Sequence, residues 1–168
     1  MSSYFGKYRG QVTMNVDPDG VGRVQVSCPT VLGAGVLAWA MPSVPLSGMG
    51  SGIFCVPIVG SKVWVEFEGG NTQYPIYSGG FWGLRAEVPP TAAIGNPVSP
   101  SIILQTSLQN MISISDVAGA AGGILIKSPT GAMIMVNDMG ITITNGKGAT
   151  ITMVANVIDM NAGHFTVL

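Results

Sequence analysis

The chain has 168 residues, of which only 9% are charged and 47% are apolar, with a net charge of −1. Ordinary soluble domains carry about 25% charged residues, and a nucleic-acid binder needs clustered cations to displace counterions from phosphates; the seven Lys and Arg spread from Lys7 to Lys147 form no such cluster. The apolar surplus forms no membrane span either: Val31 to Met41 is cut by Gly33 and Gly35 and closed by Pro42, and no run approaches the roughly 18 residues a spanning helix needs.

Met1 to Gly10 has no apolar core behind a positive end, so no secretory signal is expected there. A thin, extended chain cannot bury the surplus alone, which points to a core shared between chains. Residues 1–86 read as short strands separated by turns. Tyr8 to Val16 predicts a strand, followed by a turn at Asp17-Pro18-Asp19-Gly20, where Pro sets φ and Gly accepts a positive one. Arg23 to Ser27 alternates polar and apolar, as does Lys62 to Glu68 with Val63, Val65 and Phe67 on one face. Gly69-Gly70-Asn71 turns the chain, and Tyr74 to Phe81 returns as a strand. Pro42, Pro45 and Pro57 exclude helix through the middle. About five strands in about eighty residues predict a small antiparallel barrel, with the OB-fold as first candidate.

Residues 87–101 hold four prolines and almost no pattern, and are read as a stiff, extended linker. Residues 102–168 are a repeat. Ile124-Leu125-Ile126-Lys127, Ile141-Thr142-Ile143-Thr144 and Ile158-Asp159-Met160-Asn161 share one frame at intervals of 17 residues. Ile134-Met135-Val136 and Ile151-Thr152-Met153 form a second, with Leu168 falling 17 beyond Ile151. An earlier copy at Ile102 to Gln105 and Ile112 to Ile114 is displaced by a Gly- and Ala-rich insertion, Val117 to Gly123. Each unit is two short strands with Gly, Asn or Pro corners, and strict alternation puts Ile141, Ile143, Ile151 and Met153 on one face and Thr142, Thr144, Thr150 and Thr152 on the other.

Such a repeat is a β-solenoid, and one chain of this length makes a poor single-chain coil. Three chains wound about one axis would bury the stripe and pair every strand edge with a neighbouring chain. The expected fold is therefore all-β: an OB-fold barrel (1–86), a Pro-rich linker (87–101) and an intertwined triple-stranded β-helix (102–168), as a homotrimer. Its core is expected from Ile124, Ile126, Ile134, Val136, Ile141, Ile143, Ile151, Met153, Ile158 and Met160. About seven strands stacked at about 4.7 Å give a rod roughly 33 Å long.

Both halves resemble the spikes of contractile phage tails, the baseplate assembly protein V group, and the valine-glycine repeat spikes of type VI secretion. In the first half the resemblance rests on Trp39-Ala40-Met41-Pro42, the loop Gly48 to Gly60 ending in Pro57-Ile58-Val59-Gly60, the strand Val63 to Phe67, the turn Gly69-Gly70-Asn71 and Pro75-Ile76. In the second it rests on Lys127-Ser128-Pro129-Thr130-Gly131 and Gly140-Ile141-Thr142-Ile143-Thr144. The resemblance implies a structural central spike of a virion or equivalent contractile particle, assembled in the host cytoplasm. It would seat on a separate hub protein and pierce the target envelope, with a PAAR-type tip protein as a further partner. The linker is too short for the lysozyme domain that some members insert, and the large hub domain of others is absent. Several short phage spikes hold axial iron through a His-x-His pair, where this chain has only His164.

The remaining candidates for chemistry are read as structural. Gly33-Ala34-Gly35 fits a dinucleotide fingerprint loosely, but no helix follows and no acidic residue stands about 20 positions on. Glu66 and Glu68 point the same way on one strand and are read as a solvated barrel surface rather than a glycosidase pair. With one His and no activated Ser or Cys, no catalytic triad can be assembled, so no enzyme is expected. Cys28 and Cys55 are read as buried free thiols, with a lone disulfide as the alternative. His164 aligns with the corner positions Lys147 and Thr130. No metal or cofactor is expected, although three copies near the tip would offer three imidazoles to a metal ion. Phe165 and Leu168 are expected to form the tip interface, with Leu168 as an apolar plug. The competing reading is an OB-fold module for nucleic acid or carbohydrate, in which the tyrosines, Trp64 and Trp82 stack on the ligand.

Overall fold

The computed structural model describes residues 3–93, 98–99, 101–162 and 165–167. The chain divides into two compact units, residues 1–85 and 86–168. Both are built of β-structure.

In the first unit β1 (Tyr8–Met14), β2 (Val24–Ser27), β3 (Leu37–Pro42), β6 (Lys62–Phe67) and β7 (Pro75–Gly80) close a five-stranded barrel in the order β1-β2-β3-β7-β6. Four of its pairings are antiparallel, but β3 and β7 close it in parallel, which corrects the purely antiparallel expectation. A one-turn helix, α1 (Pro29–Leu32), stands between β2 and β3 and lays Val31 and Leu32 on the barrel core. A two-stranded hairpin, β4 (Ser47–Gly48) with β5 (Ser51–Gly52), rises from the long loop before β6.

Alternation places Val12, Val24, Val26, Val63, Val65 and Phe67 inside, with Cys28, Ala40 and Tyr77. Gly10 permits this closure, because a Cβ there would lie 2.6 Å from Val65 Cγ2. The buried Tyr77 hydroxyl donates to the Gly22 carbonyl at 2.7 Å, and burial pushes its pKa upward.

The turn after β1 is organised by Asp17. Its carboxylate accepts from the backbone N–H groups of Asp19, Val21 and Arg23 and from the Arg23 guanidinium, whose Nη2 lies at 2.8 Å. Arg23 also pairs with Asp19 and lies over the Trp39 ring. The Arg23 guanidinium holds the Asp17 carboxyl well below the usual carboxylate range, against the opposing pull of desolvation, and the backbone donors reinforce it.

The second unit is one eight-stranded antiparallel sheet in strict meander order: β8 (Ser101–Gln105), β9 (Met111–Ser115), β10 (Gly123–Lys127), β11 (Met133–Asn137), β12 (Gly140–Thr144), β13 (Thr150–Val154), β14 (Val157–Met160) and β15 (Phe165–Val167). Each interior strand bonds on both edges to its own neighbours in sequence. The expectation that every strand would find its ladder partners in other chains is thus corrected, since alternation is the same whichever chain supplies the partner. The Pro-rich segment is not extended throughout either: Arg85–Glu87 and Pro90–Ala93 form 3₁₀ turns, which accommodate the φ that proline fixes.

Candidate functional site

Polar corners fix the register of the sheet. The Asn145 side-chain oxygen accepts from the N–H groups of Lys147 and Ala149, and Gly146, directly after Asn145, takes a left-handed φ of 70°. At the preceding corner Ser128 N–H donates to Ala132 and Gly131 N–H to Ser128. The Asn137 side chain accepts from Met139 N–H, and that of Asn161 from Thr150 N–H. These Asx-type bonds hold the 17-residue period in step, so the alternation of every strand falls in line with the next.

The consequence is two columns of apolar side chains on one face. One runs Leu104, Ile112, Ile126, Ile134, Ile143, Ile151, Met160, Phe165 through successive pairings. The other runs Ile102, Ile114, Ile124, Val136, Ile141, Met153, Ile158. All ten residues expected in the trimer core lie in these columns, and neither column contains a polar residue. Leu104, Ile112, Ile102 and Ile114 extend them beyond the expected set. Their alternation was readable, but the insertion displaces them from the 17-residue frame.

In a single chain this face lies open: Ile124 and Ile126 are each 47% exposed, Ile143 37% and Phe165 58%. The opposite face differs. Over its first strands Met111 and Ser113 are buried, beneath chain from the same unit. Thr91 Oγ1 lies 3.5 Å from Met111 Sδ, and the insertion forms a 3₁₀ turn, Gly119–Ala121, tied down by Gly119 N–H to Asp138 and Asn137 Nδ2 to the Ala120 carbonyl. A cavity of about 60 Å³ remains there, lined by Ser101, Met111, Ser113 and Leu125 among others. Over the later strands the face carries Thr142 opposite Thr152, Thr144 opposite Thr150, and Asp159. One face is therefore capped in part and mixed, with Leu125, Met133, Met135 and Val154 beside the threonines, and the other is wholly apolar and uncovered.

The other candidates disperse. Glu66 and Glu68 are not a pair: β6 ends at Phe67, Glu68 begins a 3₁₀ turn, and Glu66 bonds to Lys7 at 2.8 Å, which lowers its pKa. Gly33-Ala34-Gly35 is a turn leading into β3. Trp64 packs on Phe81 with the Arg9 guanidinium over both rings. Cys28 is buried and free, whereas Cys55 is free and exposed, correcting the expectation of two buried thiols; a loop without strand alternation gives no signal of side-chain direction. Among the described residues no cluster of three or more His, Cys, Asp or Glu is poised to hold a metal. His164 and Leu168 lie outside the described residues.

Two family comparisons agree with this division. The type VI secretion system/phage-baseplate injector OB domain matches residues 8–82, and the phage baseplate V C-terminal trimerisation domain matches residues 101–166. No curated protein matches the chain. The barrel is thus an OB domain, the open-faced sheet is a domain through which the chain self-associates, and the protein has a structural role in the baseplate. With both halves matched in order, the chain belongs to the phage baseplate V family of phage-tail and type VI secretion spikes.

Proposed function

We propose that three copies of this chain form the non-enzymatic central spike at the tip of a contractile tail, pushed through the target envelope when the sheath contracts. The observation that carries this reading is the pair of unbroken apolar columns, eight and seven strands deep, on the uncovered face of a trimerisation domain. Three such faces turned inward make a dry axis, winding together as a three-stranded β-helix. Each copy then gains by removing side chains from water at about 1.5–3 kcal/mol for each one fully buried. Seven strand spacings of about 4.8 Å give a stack about 34 Å long, hydrogen-bonded along its whole length within each chain and locked laterally by the shared core. A rod of this kind resists axial load because buckling one sheet opens the core of all three.

The barrel is the collar that seats on a separate hub protein at the tail-tube end. At the other end the outer edge of β15 has no strand partner among the described residues, and an open edge there suits a PAAR-type tip protein. Phe165, which carries one column onto the last strand, closes the tip in this reading as an apolar plug without a resident metal. The spike is assembled in the host cytoplasm and carried in the particle.

Sedimentation of the purified protein tests the reading. A trimer is expected, and a monomer of 17.3 kDa at micromolar concentration would refute it. Particles made with the Ile143→Asp chain in place of the parent should fail to breach target cells, and normal killing by them would remove piercing from the proposal. Deleting residues 165–168 should weaken binding of the tip protein while His164→Ala leaves the trimer unchanged. Stoichiometric iron or zinc, lost on His164→Ala, would replace the apolar closure with a metal one.

A further inference from the structure

The face of the sheet away from the apolar columns holds a small polar hollow. Alternation sends Ser101, Ser113 and Ser115 to that face, and their partners across the ladder include Gly123 beside Ser115 and Leu125 beside Ser113. One row of the sheet, Ser101 to Ser115 to Gly123, therefore carries nothing larger than a hydroxymethyl group. Gly123 cannot be enlarged: its φ is +87°, and a Cβ there would collide with the Val136 carbonyl oxygen.

Chain from the same unit covers this row. The 3₁₀ turn Gly119–Ala121 is held by Asp138 and Asn137, and the Thr91 hydroxyl reaches Met111 Sδ. The cap cannot fill the space beneath it, because Val117 to Gly123 contains no polar side chain and turns tightly, so that a Cβ at Gly122 would collide with the Val117 carbonyl oxygen. The cavity of about 60 Å³ is what remains between cap and sheet.

Four hydroxyl-bearing residues, Thr91, Ser101, Ser113 and Ser115, stand in its wall. Ser113 is 9% exposed, and Ser101 Oγ is buried with no hydrogen-bond partner among the described residues. A hydroxyl buried in this way loses its hydration without replacement, a cost that folded proteins rarely carry. Cavities lined wholly by apolar groups stay dry, whereas a water needs about 10–15 Å³ and two to four polar partners. This cavity meets both conditions, with room for roughly two to four waters. Its described lining has no charged side chain, which selects a neutral ligand over an ion.

We propose that the cavity is a built water site, in which roughly two to four ordered waters, one bonded to Ser101 Oγ, join the cap to the sheet. Water both donates and accepts, so an insertion made of Val, Ala and Gly can seat on a row of serines that its own side chains could not satisfy. The site lies within one unit of one chain and does not depend on the trimer.

Deuteron relaxation dispersion of water on the full-length protein counts the waters held longer than the molecule tumbles. Ser101→Val suits a strand, deletes the hydroxyl and fills part of the hollow with methyl groups. The parent should hold roughly two more long-lived waters per chain than this variant, with waters buried elsewhere cancelling in the difference. Ser101→Ala, which removes Oγ alone, replaces it if the valine variant fails to fold, and should also lower the count. Crystals of the parent under xenon pressure should show water within hydrogen-bond distance of Ser101 Oγ and no xenon in the cavity. Equal water counts in parent and variant would overturn the proposal. So would a xenon peak there, which would mark the cavity as dry, or density from a side chain or from a molecule other than water.

Discussion

Replacing Ile143 by Asp perturbs the open face at its centre. Ile143 stands between Ile134 and Ile151 in one column and keeps 37% of its surface exposed in a single chain. Full burial of such a side chain stabilises by about 1.5–3 kcal/mol, so closing the face over it recovers roughly 1 kcal/mol per copy. An aspartate forfeits that and carries a carboxylate into the dry core at a cost of several kcal/mol each. Three copies bring the loss to roughly 10 kcal/mol or more, the whole stability of an ordinary domain. Sedimentation of Ile143→Asp should show no trimer at micromolar concentration. Thr142→Asp, one residue away on the opposite face, should stay trimeric and melt within a few degrees of the parent. If Ile143→Asp stays trimeric with the parent's melting curve, or if Thr142→Asp is the variant that dissociates, the assignment of the inward face is wrong.

Three further outcomes are expected. Asp17 is depressed in the folded barrel, so its contribution to stability is present above its ordinary pKa of 3.8 and is lost as pH falls through the lower folded value. Denaturant titrations should show stability falling below about pH 4, and Asp17→Asn should be less stable at pH 7 with a flatter acid limb. Gly140 has a φ of +133°, and a Cβ there would lie 2.1 Å from the Met153 carbonyl oxygen; Gly140→Ala should therefore cost about 1–3 kcal/mol by chemical denaturation. Ala155 holds a left-handed φ of 52° in the β13–β14 turn, so Ala155→Gly should stabilise by up to about 1 kcal/mol, read as a rise of a few degrees in Tm.

Much of the second unit was legible because its information is local. Alternation across Ile141-Thr142-Ile143-Thr144 decides which side chains share a face, and Asn145-Gly146 decides where the strand turns. Alternation does not say whose strand lies alongside, which is why pairing within the chain had to come from the structure. Strand count and turns made the OB-fold the first candidate and the resemblance supported it, but the parallel closure of β3 on β7 joins residues about 35 apart and leaves no periodic trace. The helix Pro29–Leu32 is too short to show a period of 3.6 residues. The Asp17 hub depends on three backbone donors and a guanidinium converging, and only the Pro-Asp-Gly turn chemistry hinted at it. Cys55 lies in a loop tied by glycines and prolines, where side-chain direction follows no rule.

Meander pairing also makes the length of the sheet a matter of counting. Each strand bonds only to the one before and the one after, and two strands with their corners occupy 17 residues. Excision of residues 141–157 would bring Ile158 into the place of Ile141, with every later residue still facing as before. The stack would shorten by two strand spacings, about 10 Å. Duplication of the same segment would lengthen it by as much. The length of the sheet can therefore change in fixed increments, through a single in-frame loss or gain, while the barrel, the corners and the apolar face keep their chemistry.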